Sequence, residues 1–161
     1  MISAQRTGRT PDRYVLSRER RPVGTVTLGR GMSGATLELG TTVYEIRAGA
    51  DRGSYELLAV DRVVMATAER VHRRHWSVRT AEGTHLFRRG TFGTLESLTD
   101  ADGRGLGRVA RSGRGVSGVV SDDLPGMDVV AHAFVLTLVL MRRRRRRRIV
   151  TRTAAVSAAA R

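Results

Sequence analysis

Along most of the chain, apolar and polar residues alternate with a period of two. Val23-Gly24-Thr25-Val26-Thr27-Leu28 puts Val26 and Leu28 on one side and Thr25 and Thr27 on the other. Ala35, Leu37 and Leu39 alternate with Thr36 and Glu38, and Trp76 and Val78 alternate with His75, Ser77 and Arg79. Side chains of a strand point alternately to its two faces, so each pattern predicts a half-buried antiparallel strand. Turn residues punctuate the series, among them Gly29-Arg30-Gly31, Leu39-Gly40, Arg52-Gly53, Glu82-Gly83, Arg89-Gly90 and Asp102-Gly103. Glycine supplies the positive φ of tight hairpins, so Glu82-Gly83 and Asp102-Gly103 read as hairpin turns. About eleven strands are predicted, near 14–19, 23–28, 34–39, 42–47, 54–60, 62–68, 74–80, 84–88, 92–98, 104–111 and 115–121. Even spacing of short strands points to a barrel or sandwich.

The pattern changes after Leu124-Pro125-Gly126. From Met127 to Met141 nearly every residue is apolar, with Asp128, His132 and Thr137 as the polar interruptions. Pro125 and Asp128 suit a helix start, and the arginines that follow suit its end. Fifteen helical residues span about 22 Å, whereas a membrane-crossing helix needs about 20 apolar residues. A helix apolar on all sides must be enclosed. Two placements follow: the interior of the protein, or a short C-terminal membrane anchor. In the anchor reading the arginines hold the C-terminus on the cytoplasmic side.

Charge adds a second division. The chain has 161 residues and a net charge of +14, and all 29 of its basic residues are arginine. Residues 1–22 hold six arginines against two acids, and residues 142–161 hold nine arginines and no acid. The stretch between them, 23–141, carries a net charge of only +1. This predicts a disordered basic arm over 1–12, a near-neutral domain over 13–141 with its helix at about 127–141, and a disordered arginine-rich tail over 142–161. Without cysteine, disulfides, thiolate catalysis and Cys-ligated zinc are excluded. No apolar signal segment opens the sequence, which makes the cytoplasm the expected compartment.

Chemistry-bearing motifs are few. Gly29-x-Gly31-x-x-Gly34 matches a dinucleotide fingerprint in letters, but that fingerprint must open a helix and Ala35–Leu39 alternates as a strand. Ser33 lies outside the Gly-x-Ser-x-Gly spacing of a nucleophile elbow. Asp100 and Asp102 lack the distal acid of a calcium loop and read as turn residues, and Asp122, Asp123 and Asp128 read as caps. His72-Arg73-Arg74-His75 reads as a solvated basic strand, with His72 and Arg74 on one face, and as a contact for an anionic head group through Arg73 and Arg74. Gly29–Gly34 recurs in similar form at Gly113–Gly118, consistent with either half-barrel duplication or repetitive turn composition. The strongest signal is the run Arg142, Arg143, Arg144, Arg145, Arg146, Arg147 and Arg148, which attracts anionic lipid or any other polyanion. Aromatic residues that would stack nucleic-acid bases are sparse in both ends.

The order of about eleven short strands followed by one all-apolar C-terminal helix resembles the tubby C-terminal-like superfamily, which includes LURP-one-related proteins and phospholipid scramblases. Leu98-Thr99-Asp100-Ala101-Asp102-Gly103-Arg104-Gly105-Leu106-Gly107 is similar to the late hairpin of such proteins. The resemblance covers 13–141 and implies a closed antiparallel barrel of about 11–12 strands around the hydrophobic helix. It also implies a non-enzymatic protein without a cofactor, associated with anionic membrane lipid at the inner membrane face. Phospholipid scrambling is not implied, because the cysteine-rich segments of scramblases are missing. Nucleic-acid association through the arginine-rich ends is the alternative.

Overall fold

The computed structural model describes residues 1–7, 12–29, 33–91, 93–112 and 118–159, with side chains up to Arg145. Twelve strands form one closed antiparallel barrel: β1 (Ile2–Arg6), β2 (Arg13–Arg18), β3 (Arg21–Leu28), β4 (Gly34–Leu39), β5 (Thr42–Ala48), β6 (Tyr55–Leu58), β7 (Val64–Glu69), β8 (His75–Thr80), β9 (Gly83–Arg89), β10 (Leu95–Thr99), β11 (Gly105–Arg111) and β12 (Gly118–Ser121). Each strand pairs with its sequence neighbours, and β1 closes the ring against β12 in the register Ile2↔Ser121 to Gln5↔Gly118. Closure leaves no sheet edge for another chain to pair with.

The predicted alternation holds. Val26, Leu28, Ala35, Leu37, Trp76 and Val78 are all buried on the barrel's inner face. The helix α1 (Val129–Ala159) runs along the barrel axis, and every side chain from Ala131 to Met141 is buried. These apolar residues on all faces of α1 meet the inward side chains of the strands in one core. The helix therefore fills the barrel, and no helix among the described residues is long and apolar enough to cross a membrane. Thr137 is accommodated because its hydroxyl donates to Ala133 O at 2.8 Å. Asp128 caps the helix as its sequence position suggests, with Oδ1 accepting from Ala131 N at 2.7 Å.

Hairpin connections alternate between the two mouths. The turns after β2, β4, β6, β8 and β10 lie at the lower mouth, where α1 begins. The connections after β5, β7 and β9 lie at the upper mouth, where α1 leaves. Gly40 and Gly103 take φ of 58° and 82° in lower turns, and Asp100 accepts from Gly103 N and Arg104 N as a turn residue.

Three expectations change. The segment 1–12 is not all a disordered arm, since Ile2–Arg6 is β1 and closes the barrel. The helix does not stop at 141 but continues to Ala159, because arginine is a good helix former and its first arginines dock on the barrel. Residues 71–74 are a turn between β7 and β8, so His72 and Arg74 do not share a strand face. Of the fingerprint-like glycines, Gly29 precedes strand β4 and Gly34 opens it, so a strand and not a helix follows, while Arg30, Gly31 and Met32, and residues 113–117 of the recurrence, lie outside the described residues. Gly34 and Gly118 have equivalent places, each at a strand start against a neighbouring carbonyl. A Cβ there would lie 2.2 Å from Ile46 O and 2.3 Å from Ala4 O, respectively.

Candidate anion-binding site

The near-neutral total of the domain hides a polarity along its axis. Lower-mouth connections carry Glu19, Asp61, Glu82, Asp100, Asp102, Asp122, Asp123 and Asp128 against Arg20, Arg62 and Arg104. At the upper mouth, the β5–β6 turn brings Arg52, the end of β7 and the following turn bring Arg70, His72, Arg73 and Arg74, β8 and β9 bring His75 and Arg89, and α1 brings Arg142 and Arg145. These nine residues line one open cleft of about 950 Å³, and none of them is a carboxylate. A second groove of about 550 Å³ continues from it down the outer wall, sharing Arg70 and His75 and reaching Leu86 and Arg88.

The floor of the cleft is built around Glu96. Alternation along β10 points Glu96 inward with Leu98, and its side chain is fully buried. One oxygen accepts from Trp76 Nε1 at 3.0 Å. The other pairs with Arg142 and, at 3.7 Å, with Arg89 Nε. Arg89 and Glu96 are also directly paired in the β9–β10 register. Arg142 donates to Val71 O at 3.2 Å and lies 5.9 Å from the centre of the Trp76 ring. Arg89 donates to Val71 O at 3.2 Å and Arg73 O at 2.8 Å, which ties the β7–β8 turn to the floor. Trp76 stacks on Phe87 with ring centres 4.4 Å apart, so the whole assembly rests on the apolar core.

The rim is different in kind. Arg52, Arg73 and Arg74 are exposed, and with Arg70 and Arg145 they form no ion pair to a carboxylate among the described residues. Arg70 occupies the left-handed region at φ 56°, a cost tolerated where surrounding structure enforces it. Burial lowers the pKa of His72, and the nearby Arg145, Arg142, Arg89 and Arg52 charges lower it further. His72 is therefore neutral at pH 7, and its ring packs edge-on against Tyr55 with centres 6.1 Å apart.

The arginine run divides accordingly. Arg142 is a buried structural cation. Arg143 donates to Thr94 O at 2.7 Å, and burial with the Arg111 charge lowers its pKa to about 10, so it stays protonated at pH 7. Arg144 pairs with Asp12 at 2.5 Å. Arg145 lines the cleft. The side chains of Arg146, Arg147 and Arg148 lie outside the described residues. Arg73 and Arg74 line the cleft, from a turn instead of a strand. The floor residues Glu96, Trp76 and Arg89, and the rim residues Arg52 and Arg70, were not anticipated from the sequence.

A serine–histidine contact lies at the other mouth. Ser121 Oγ meets His132 Nε2 and donates to Asp122 O at 2.6 Å. A hydroxyl has one proton to give, and a carbonyl can only accept. His132 must therefore donate to Ser121, which leaves it no lone pair at Nε2 to deprotonate the serine. Both residues are buried, and the contact acts as a strap between β12 and α1. Among the described residues there is no group of acidic and histidine side chains arranged to hold a metal ion.

Fold and site together define a helix-filled, closed antiparallel barrel with a cationic cleft at one mouth. No family model, no curated protein and no solved structure matches the chain.

Proposed function

We propose that this protein is a non-enzymatic barrel of tubby-like type that associates with anionic lipid at the cytoplasmic face of a membrane through the cations of its upper mouth. The observation that carries this reading is the convergence of seven guanidinium groups on one cleft with no carboxylate in its lining. Guanidinium forks match phosphate and carboxylate oxygens two at a time, and cations near an anionic surface contribute about 1 kcal/mol each. Of the arginine run, Arg142 lines the cleft from its floor and Arg145 from its rim, whereas Arg143 and Arg144 are committed to Thr94 and Asp12 of the barrel.

Co-sedimentation of the full chain with vesicles tests the reading. Pelleting is expected on phosphatidylserine-containing vesicles, little on phosphatidylcholine alone, and progressively less as salt rises. Replacing Arg73 and Arg74 by serine removes two surface cations and should weaken binding about 30-fold. Equal pelleting on neutral vesicles would overturn it. Salt-sensitive binding to duplex DNA with no vesicle binding would favour the nucleic-acid alternative.

A further inference from the structure

We infer that the upper-mouth cleft is a stoichiometric site for one compact anion bearing two or more phosphoryl groups, and that Glu96 is the positioning residue for the two guanidiniums at its floor. The inference rests on the anion-binding reading above and narrows it from a charged surface to a single ligand class.

The cleft offers donors in two tiers. At the floor, Arg89 and Arg142 are held from below by Glu96 and by the backbone carbonyls of Val71 and Arg73. Their side-chain freedom is already lost in the folded protein, so a ligand that meets them gains fixed donors without the cost of ordering them. At the rim, Arg52, Arg73 and Arg74 are exposed and without a carboxylate partner among the described residues. At about 950 Å³ the cleft is much larger than one phosphoryl group. A ligand with linked phosphoryl groups can occupy the floor with one and the rim with another. Charge points the same way, since Arg52, Arg70, Arg73, Arg74 and Arg145 have no ion pair to a carboxylate among the described residues and a single monoanion or dianion balances at most two of the five.

The cleft also indicates what the ligand need not contain. Trp76 lies beneath Arg142 at 3% exposure, and Tyr55 is buried at 6%. Among the described residues no tryptophan, tyrosine or phenylalanine face is open to the cleft for a nucleobase to stack on, and its ring side chains are the imidazoles of His72 and His75. Recognition therefore falls on the phosphoryl groups, whether they belong to a lipid head group or to a free polyphosphate.

Glu96 has a testable sign. As a mere counter-charge it would weaken anion binding, and its neutralisation would tighten binding. As a positioning residue it fixes both floor guanidiniums, and its neutralisation would loosen them and weaken binding. Glu96→Gln keeps the shape and an oxygen for Trp76 Nε1, so it separates the two roles.

Calorimetric titration of the full chain with orthophosphate, pyrophosphate and tripolyphosphate at about 0.15 M salt tests the inference. Tripolyphosphate should bind one per chain and at least about tenfold more tightly than orthophosphate, with Arg52→Ser/Arg74→Ser abolishing most of that difference. Glu96→Gln should weaken tripolyphosphate about tenfold while a melt confirms that it remains folded. Several ligands per chain, or binding unchanged by the rim substitutions, would overturn the site. Tighter binding by Glu96→Gln would overturn the positioning role. Vesicles carrying phosphatidylinositol bisphosphate, compared with phosphatidylserine vesicles of equal charge, separate the sources. A selective gain displaced by tripolyphosphate assigns the lipid head group, whereas tripolyphosphate binding without vesicle binding assigns a free polyphosphate and refutes only the lipid reading. Vesicle binding that saturating tripolyphosphate does not displace would refute the cleft as the ligand site and leave the anionic-surface reading standing.

Discussion

Removing the carboxylate of Glu96 isolates the energetics of the floor. Glu96 is fully buried and Arg142 is 5% exposed, with Arg89 alongside. Glu96→Ala strands two guanidiniums that water reaches poorly, and breaking one side of such a buried pair costs about 3–5 kcal/mol. Removing both charges is a different matter, because two buried ions also cost desolvation when they are paired. Glu96→Leu combined with Arg142→Met should therefore recover most of that loss. In a chain of this size each kcal/mol moves the melting temperature by about 2–4 °C, so Glu96→Ala should melt roughly 6–20 °C lower and the double variant within a few degrees of the parent. Trp76, the one tryptophan, reports directly because its indole donates to Glu96. Urea titrations of the parent, Glu96→Leu, Arg142→Met and the double variant, followed by its fluorescence, complete a double-mutant cycle. A loss below about 1 kcal/mol for Glu96→Ala, or a double variant as damaged as the sum of the singles, would refute the ionic floor.

Three further outcomes follow from the barrel. His132 has its pKa lowered from the usual 6.5 to about 4 by burial, with the N-terminal ammonium adding to the effect and Asp123 opposing it. The unfolded chain takes up this proton near pH 6.5 and the folded chain only near pH 4, so the contribution is complete above 6.5 and lost as pH falls through that window. It amounts to about 3 kcal/mol, and denaturation across pH 4–7 should show a shallower slope for His132→Asn; an unchanged slope would contradict it. Gly118→Val should open the β1–β12 seam by driving a side chain into Ala4 O, at a cost of about 2 kcal/mol or more, seen as accelerated amide exchange in β1; parent-like exchange would contradict it. In the β2–β3 turn, Glu19 and Arg20 both take positive φ (51° and 67°), so Arg20→Gly should stabilise by about 1 kcal/mol in thermal melts, and a lower melting temperature would count against it.

Most of the barrel was legible because alternation is strict wherever one face is buried. β4, read over 34–39, forms at Gly34–Leu39. β1 was not legible. Ile2 and Ala4 are its only inward apolar residues, and its pairing depends on β12, which lies at the opposite end of the sequence. The helix was legible as enclosed, but the arginine run read as a tail because Glu96, Thr94 and Asp12, the partners of Arg142, Arg143 and Arg144, are distant in sequence. One signal was present and unused. Glu96 alternates in phase with Leu98, and a carboxylate on the inner face of a barrel demands a buried cation, which the first arginine after an apolar axial helix supplies. Nothing local in Val71-His72-Arg73-Arg74 reveals that it turns back over the helix end. Only barrel closure brings it there.

The claim that binding depends on where the arginines sit, and not on how many there are, has one direct measurement. Two triple variants remove the same charge: Arg52→Ser/Arg73→Ser/Arg74→Ser at the upper mouth, and Arg18→Ser/Arg20→Ser/Arg21→Ser at the lower mouth, where all three side chains are exposed. Co-sedimentation with phosphatidylserine vesicles at fixed salt should fall steeply for the first triple and stay near the parent for the second. Equal losses would make the protein a diffuse polycation and contradict a site at the upper mouth.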